Sequence, residues 1–337
     1  MKIFNDYNLK NHNTFGINVS CKCFAEYESI EECVDFLNKL PEGEKILHVG
    51  GGSNLLFTRD FQGTILHSAV KSFEIIEETA EEATVRVGSG VIFDDFIAWA
   101  LEKGLYGAEN LSAIPGEVGA SAVQNIGAYG VEAEQIIQAV EVYDRQAGKY
   151  EIFRHDDCRY AYRHSIFKEY PARYVVHHVQ FRLKKTFVPQ LQYRALQNEV
   201  VRQGFTAESI TASDIRRVVT DIRNAKLPDY HVLGNGGSFF MNPIVDVAKF
   251  KSLQKEYPDM PFFETPDGVK IPAGWLIEKC GWKGRRVGNA GVYEKQALIL
   301  VNYGKATGRE ISELSQAIQQ SVLQTFGIAI SSEVNIL

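Results

Sequence analysis

Residues 110–130 read NLSAIPGEVGASAVQNIGAYG, and the reading of this stretch decides the fold. It sets Gly116, Gly119, Gly127 and Gly130 beside Gln124, Asn125 and Tyr129. It is too apolar and too irregular to be a flexible linker. A structural loop rarely needs so many glycines next to two amides. Glycine lets a backbone come close to a ligand, and side-chain amides read the edge of a planar heterocycle through paired donors and acceptors. The stretch therefore reads as a ligand-binding loop.

A second glycine-rich loop lies upstream, in HVGGGSNLLF (48–57), after the apolar run KILHV (45–49). Successive glycine N–H groups can point at a phosphate with no Cβ in the way. Alone, such a loop is more often a turn. It is not a P-loop, because G-x-x-x-x-G-K-[ST] is missing, and no G-x-G-x-x-G here opens a helix. Two such loops together predict a dinucleotide held across its pyrophosphate.

Working outward, TILHS (64–68), FEIIEE (73–78) and ATVRV (83–87) read as strands, the last two as a hairpin. VIFDDFIAWALEKG (91–104) has helical spacing and a glycine to end it. Strands are expected over 139–153 and 174–183. In the second, alternation puts Val175, His177, Val179, Phe181 and Leu183 on the more apolar face, so His177 and His178 should point to opposite faces. Composition shifts over 185–210, where the main boundary is expected. A connection over 187–204 leads into a helix, and 213–229, 272–280 and 311–326 read as further helices. Strands are expected near 292–302 and 328–336. No repeat is visible.

The length of 337 residues predicts about two or three domains, and such a chain buries a large core without disulfides. The net charge of -6 argues against nucleic acid as partner, and an anionic ligand would need local basic groups. The five cysteines are odd in number and form no C-x-x-C, which suggests free thiols in a reducing compartment. MKIFNDYNLKNHN is no signal peptide, and no apolar run reaches the roughly 18 residues of a membrane span. A cytoplasmic protein is expected. No His/Cys/Asp cluster has metal-ligand spacing, so no metal is expected.

Three further groups bear on chemistry. Arg163, in RYAYRHSIFK (159–168), is either a surface arginine or a carboxylate clamp. Ser238, in GNGGSFFMNP (234–243), has no visible triad and so is not an obvious nucleophile. It is either a turn hydroxyl or a general acid. Glu333, in IAISSEVNIL (328–337), is either solvent-facing on an edge or buried for a reason.

GGGSNLL, IPGEVGASAVQNIGAYG, YRHSIFK, KLPD, GNGGSFFMNP and the late SEV occur in this order. In that order the chain resembles the UDP-N-acetylenolpyruvoylglucosamine reductase (MurB) family, from NTFGI (13–17) to SEVNIL (332–337). The resemblance implies an α+β architecture: an FAD-binding fold of the vanillyl-alcohol oxidase type in two subdomains, 1–70 and 71–200, plus a C-terminal MurB-type α+β substrate-binding domain, 201–337. It implies noncovalent FAD, held by Gly50, Gly51, Gly52, Ser53, Asn54, Leu55, Ile114, Pro115, Gly116, Gly119, Ala120, Gln124, Asn125, Gly127, Tyr129 and Arg223.

The implied reaction is the second committed step of peptidoglycan precursor synthesis. NADPH reduces the flavin, and a hydride from flavin N5 reduces UDP-N-acetylglucosamine enolpyruvate to UDP-N-acetylmuramate. By motif, Ser238 protonates the enolate, which Arg163 and Glu333 stabilise; Tyr193, Lys226, Asn242 and Gln296 hold the nucleotide-sugar. Tyr193 lies in an inserted segment typical of one subclass. One departure is Asn335, where many relatives carry an arginine. A monomer is expected. The alternatives are another flavoprotein oxidoreductase of the same fold, or a catalytically inactive nucleotide-sugar binding protein.

Overall fold

The computed structural model describes residues 1–337. The chain forms two compact units. The first comprises Met1–Tyr7, Cys21–Gly51 and Gln62–Ala225; the second comprises Asn8–Ser20, Gly52–Phe61 and Lys226–Leu337. The loop 48–57 thus passes from one unit into the other between Gly51 and Gly52.

The first unit is built on two sheets. One runs in the order Lys2–Asn8, Ser20–Tyr27, Phe61–Ser68, Ile46–Val49, with the last two strands parallel. The other is antiparallel, in the order Lys149–Arg154, Ile137–Asp144, Tyr174–Lys184, Glu82–Gly88, Phe73–Glu78. Helix Phe93–Glu102 turns Phe93, Phe96, Ile97 and Ala100 into the core of this second sheet. Phe96 stacks on Phe181 with ring centroids 4.4 Å apart. Each buried aromatic of this kind contributes roughly 1.5–3 kcal/mol relative to exposure. Helices Arg194–Arg202 and Ala212–Lys226 close a separate apolar cluster through Leu196, Val200, Ile215, Val218 and Ile222, against which Tyr129 and Phe187 pack.

The second unit carries an antiparallel sheet in the order Gly234–Ser238, Ile299–Asn302, Ala290–Val292, Arg286–Val287. Helix Gly308–Phe326 opens with a capping box between Thr307 and Glu310 and ends at Gly327 in the left-handed conformation. The chain end pairs in parallel with the loop region: Asn335–Ile336 runs beside Leu55–Leu56.

Two expectations need correction. The strand expected over 328–336 reduces to Asn335–Ile336, with Ser331–Glu333 only bridged to Phe239–Met241 and Ile328–Ile330 outside any strand. His177 and His178 do not point to opposite faces. Glu141 pairs with His178 and Val142 with Val176, so His177 is the extra residue of a β-bulge. A bulge breaks the alternation on which the expectation rested, and it brings the two Nδ1 atoms to 2.8 Å.

Candidate active site

In the first unit the two glycine-rich loops meet. A Cβ on Gly51 would lie 3.6 Å from Gly116 Cα, and one on Gly50 would lie 3.1 Å from Glu117 Oε2 and 3.4 Å from Ala120 Cβ. Gly119 is pinned by an N–H···O bond of 2.9 Å to Ser89, whose Cβ would stand 2.8 Å from any side chain there. Downstream, Gly127–Ala128 and Val131–Glu132 form a hairpin turned by Tyr129 (φ 49°) and Gly130 (φ 83°). Positive φ at both centres is the type I′ geometry, in which a tyrosine is unusual.

Tyr129 meets the edge of Tyr193 at 5.6 Å, and Arg223 Nε donates to the Ala113 carbonyl at 3.1 Å. The opposed pKa directions of Tyr129, raised, and Arg223, lowered, both arise first from burial. Asn125 is buried in the left-handed conformation, and protein groups use its amide: Nδ2 donates to Glu132 and Ala161, and Oδ1 accepts from the Glu134 N–H. Its side chain shapes the loop. Arg163, also left-handed at φ 55°, donates to the carbonyls of Asn125 (3.1 Å) and Gly127 (3.0 Å). Ala113 is a fourth left-handed non-glycine residue in this neighbourhood, at φ 59°. Such backbone costs of order 1–3 kcal/mol per residue and clusters at functional sites.

In the second unit, Ser238 stands exposed just after a bulge in its strand. The glycines before it have a local explanation. A Cβ on Gly234 would be 2.3 Å from the Phe15 carbonyl oxygen, and one on Gly236 would be 2.6 Å from the Phe15 ring. They admit the Thr14–Phe15 segment, which is tied to Asn235 by hydrogen bonds of 3.0 and 2.6 Å. Glu333 is carried to the same place by the chain end: its N–H donates to the Phe239 carbonyl at 2.8 Å. Asn54 Nδ2 donates to the Glu333 carbonyl at 3.2 Å, and Asn335 bonds back to Asn54 through both its backbone and its side chain. Asn242 Oδ1 accepts from the Ala273 N–H, and a Cβ on the neighbouring Gly274 would meet Gln296 Oε1 at 3.3 Å, so these two amides flank one helix start. Lys226 is exposed at the end of its helix.

Comparison with known proteins decides the family. Residues 228–337 match the C-terminal domain of UDP-N-acetylenolpyruvoylglucosamine reductase, and 21–153 match an FAD binding domain. A UDP-N-acetylenolpyruvoylglucosamine reductase of Bacteroides fragilis (strain YCH46) is 50% identical over 98% of this chain and 99% of its own. One from Pseudomonas aeruginosa is 42% identical over 97% of each. The chain belongs to the UDP-N-acetylenolpyruvoylglucosamine reductase family. The MurB crystal structure from Thermus caldophilus, 20% identical, shares the fold over 99% of this chain and 98% of its own, with a TM-score of 0.68.

As a MurB family member the chain is a UDP-N-acetylmuramate dehydrogenase of peptidoglycan precursor synthesis, with FAD as cofactor and NADPH as cosubstrate. Its own residues fit FAD. Gly50 and Gly51 bring the first loop close against residues 116–120 of the second, and the Gln124 Oε1 atom is buried without any hydrogen-bond partner. A buried acceptor left unpaired costs about 1–3 kcal/mol, so a ligand donor is expected to meet it.

Other groups that hold the site were not singled out in the sequence. Asp94 accepts from the Ala113 N–H and forms a double hydrogen bond with Arg216, which keeps its carboxyl low despite burial. Away from the loops, Glu141, His177 and His178 bring their ligand atoms within 4.8 Å of one another. The expectation that the two histidines face opposite ways therefore fails in its geometry. Arg86 already engages this cluster, donating to both Glu141 oxygens at 2.7 Å and to His178 Nδ1 at 3.0 Å. No helix is long and apolar enough to cross a membrane.

Proposed function

We propose that Ser238, Arg163 and Glu333 carry the reduction of UDP-N-acetylglucosamine enolpyruvate. The observation that supports this most is the bond from the Glu333 N–H to the Phe239 carbonyl, which sets the glutamate beside the serine although the two lie far apart in the chain. FAD, when bound, supplies the reducing equivalents taken from NADPH. The residues handle charge and protons. As the double bond is reduced, negative charge moves toward the substrate carboxylate. Arg163 meets that charge with its guanidinium, while Glu333 can assist only by carrying or sharing a proton. Ser238 Oγ–H then gives its proton to the adjacent carbon; a hydroxyl suffices because an enolate carbon is strongly basic.

In this reading the residues of 50–55 and 114–129 named above, with Arg223, hold FAD. Tyr193, Lys226, Asn242 and Gln296 hold the nucleotide-sugar, and Lys226 supplies local positive charge for its diphosphate. The edge contact of Tyr193 with Tyr129 favours the subclass with the inserted tyrosine segment. We assign 1–70 and 71–200 to the cofactor and 201–337 to the substrate. Arg163, Tyr193 and Arg223 act across this division, and compactness divides the chain differently, with Asn8–Ser20, Gly52–Phe61 and Lys226–Leu337 in one unit. The enzyme acts as a cytoplasmic monomer, since none of these roles calls for a second copy.

The test separates the half-reactions. Ser238→Ala should leave NADPH bleaching of bound flavin unchanged and slow turnover of the enolpyruvyl substrate by about 10²–10⁴-fold, the usual contribution of a general acid. Turnover within threefold of wild type would remove the serine from the mechanism.

A further inference from the structure

His67 lies between two carboxylates. Its Nδ1 is 3.1 Å from Glu26 Oε2, and its Nε2 is 3.1 Å from Glu117 Oε1. An imidazole facing a carboxylate on each side satisfies both only when both nitrogens carry protons. Burial opposes that charge, but the bonds to Glu117 and Glu26 outweigh it, and His67 titrates above the ordinary 6.5. Glu26 comes from the neighbouring strand, where Lys2 also holds it at 2.9 Å. Glu117 belongs to the loop 110–130, and its other oxygen is the atom that a Cβ on Gly50 would meet at 3.1 Å. One carboxylate therefore lies against one glycine-rich loop while belonging to the other.

We infer that His67, protonated on both nitrogens, is a positioning residue for the cofactor: it draws Glu117 onto the sheet and so fixes the two glycine-rich loops at the spacing that FAD requires. The inference rests on the reading that these loops hold FAD. Its electrostatic logic is specific. An unneutralised Glu117 carboxylate beside loops that receive a diphosphate repels the ligand, and the imidazolium cancels that repulsion. Another titratable neighbour on this sheet is His48, which bonds to the Tyr27 hydroxyl at 2.8 Å; burial and the charge of His67 push it down to about 4, so it stays neutral across the working range. The Phe24 ring stacks on His67 at 5.9 Å and contributes no charge.

Loss of the His67 proton leaves one carboxylate facing a lone pair and frees Glu117. FAD affinity should therefore be highest at low pH and fall as pH rises through the His67 titration. The experiment is flavin-fluorescence titration of the full apo-chain with FAD at pH 6 and pH 9, for wild type, His67→Gln and Glu117→Gln. The wild type should bind FAD about tenfold more tightly at pH 6, which corresponds to about one pKa unit of linkage. Both variants should lose that dependence. Glu117→Gln keeps the shape of the loop, so it answers the question even if His67→Gln folds poorly. Equal pH dependence in wild type and Glu117→Gln would overturn the inference while leaving the cofactor site standing. A wild-type chain that binds no FAD at either pH would overturn the assignment of the loops, and the inference with it.

Discussion

At the residue scale, the same glycine letters serve two ends. Gly50 and Gly51 let the first loop close on residues 116–120 of the second, whereas Gly234 and Gly236 make room for Phe15 of the same unit. The sequence alone leaves the two uses alike, because the partner of Gly234 lies more than two hundred positions away. The structure predicts that Gly234→Ala destabilises the protein, since the new methyl would sit 2.3 Å from a backbone oxygen that cannot move aside. A loss of about 1–3 kcal/mol is expected from overpacking, measurable as a lowered urea midpoint; an unchanged midpoint would show that the Phe15 segment yields freely. Arg163→Lys should lower turnover of the enolpyruvyl substrate by roughly 10²-fold, since a lysine cannot span two carbonyls and also offer a fork to a carboxylate. Rates within threefold of wild type would deny it the proposed role. Ser238 was legible as a candidate from its motif. Glu333 was named with it only through the family motifs; the local sequence left it open, because its place depends on a chain end folded back on residues 239–241.

At the element scale, apolar β-branched runs and helical spacing served well, even for Phe73–Glu78, which is exposed along its whole length. FEIIEE and ATVRV form the hairpin Phe73–Glu78 and Glu82–Gly88, and the helix expected over 91–104 is Phe93–Glu102. Residues 1–44 carried no such reading, yet they supply two strands and the helix Ile30–Leu37. The strand Lys2–Asn8, KIFNDYN, has no regular apolar alternation to announce it. The bulge at His177 was hidden for a different reason: alternation describes regular strands, and a single extra residue cancels it. That bulge has a measurable consequence. Burial, with Arg86 nearby, pushes His177 and His178 down to about 4, and His48 also lies at about 4. The unfolded chain takes up these protons from about 6.5 downward, so the unfolded state binds more protons between those values. Stability is therefore fully present above pH 6.5 and is lost as pH falls toward 4, by a few kcal/mol in total. His67 works the other way: its contribution is complete below 6.5 and fades at higher pH. Thermal melts should hold a plateau near neutrality and drop between pH 6.5 and 4.5; a midpoint constant down to 4.5 would mean that the histidines are charged in the fold.

At the scale of the whole molecule, two compact units divide the chemistry. The first holds the meeting of the glycine-rich loops, the strained backbone at Ala113, Asn125, Tyr129 and Arg163, and the buried Gln124 acceptor. The second holds Ser238 and Glu333 on adjoining segments. An oxidase-type flavoprotein of the same fold has no need for the serine and glutamate together, and a binding protein without catalysis has no need for the cofactor loops. The oxidase-type alternative is therefore separable by whether the enolpyruvyl substrate reoxidises the flavin, and the binding protein by whether flavin is held at all. The most direct measurement is the visible spectrum of the purified, FAD-loaded protein under anaerobic conditions, with NADPH added first and UDP-N-acetylglucosamine enolpyruvate second. The structure predicts that flavin absorbance bleaches with NADPH and returns with the enolpyruvyl substrate. A flavin that bleaches and stays bleached when the substrate arrives would contradict the proposed reaction.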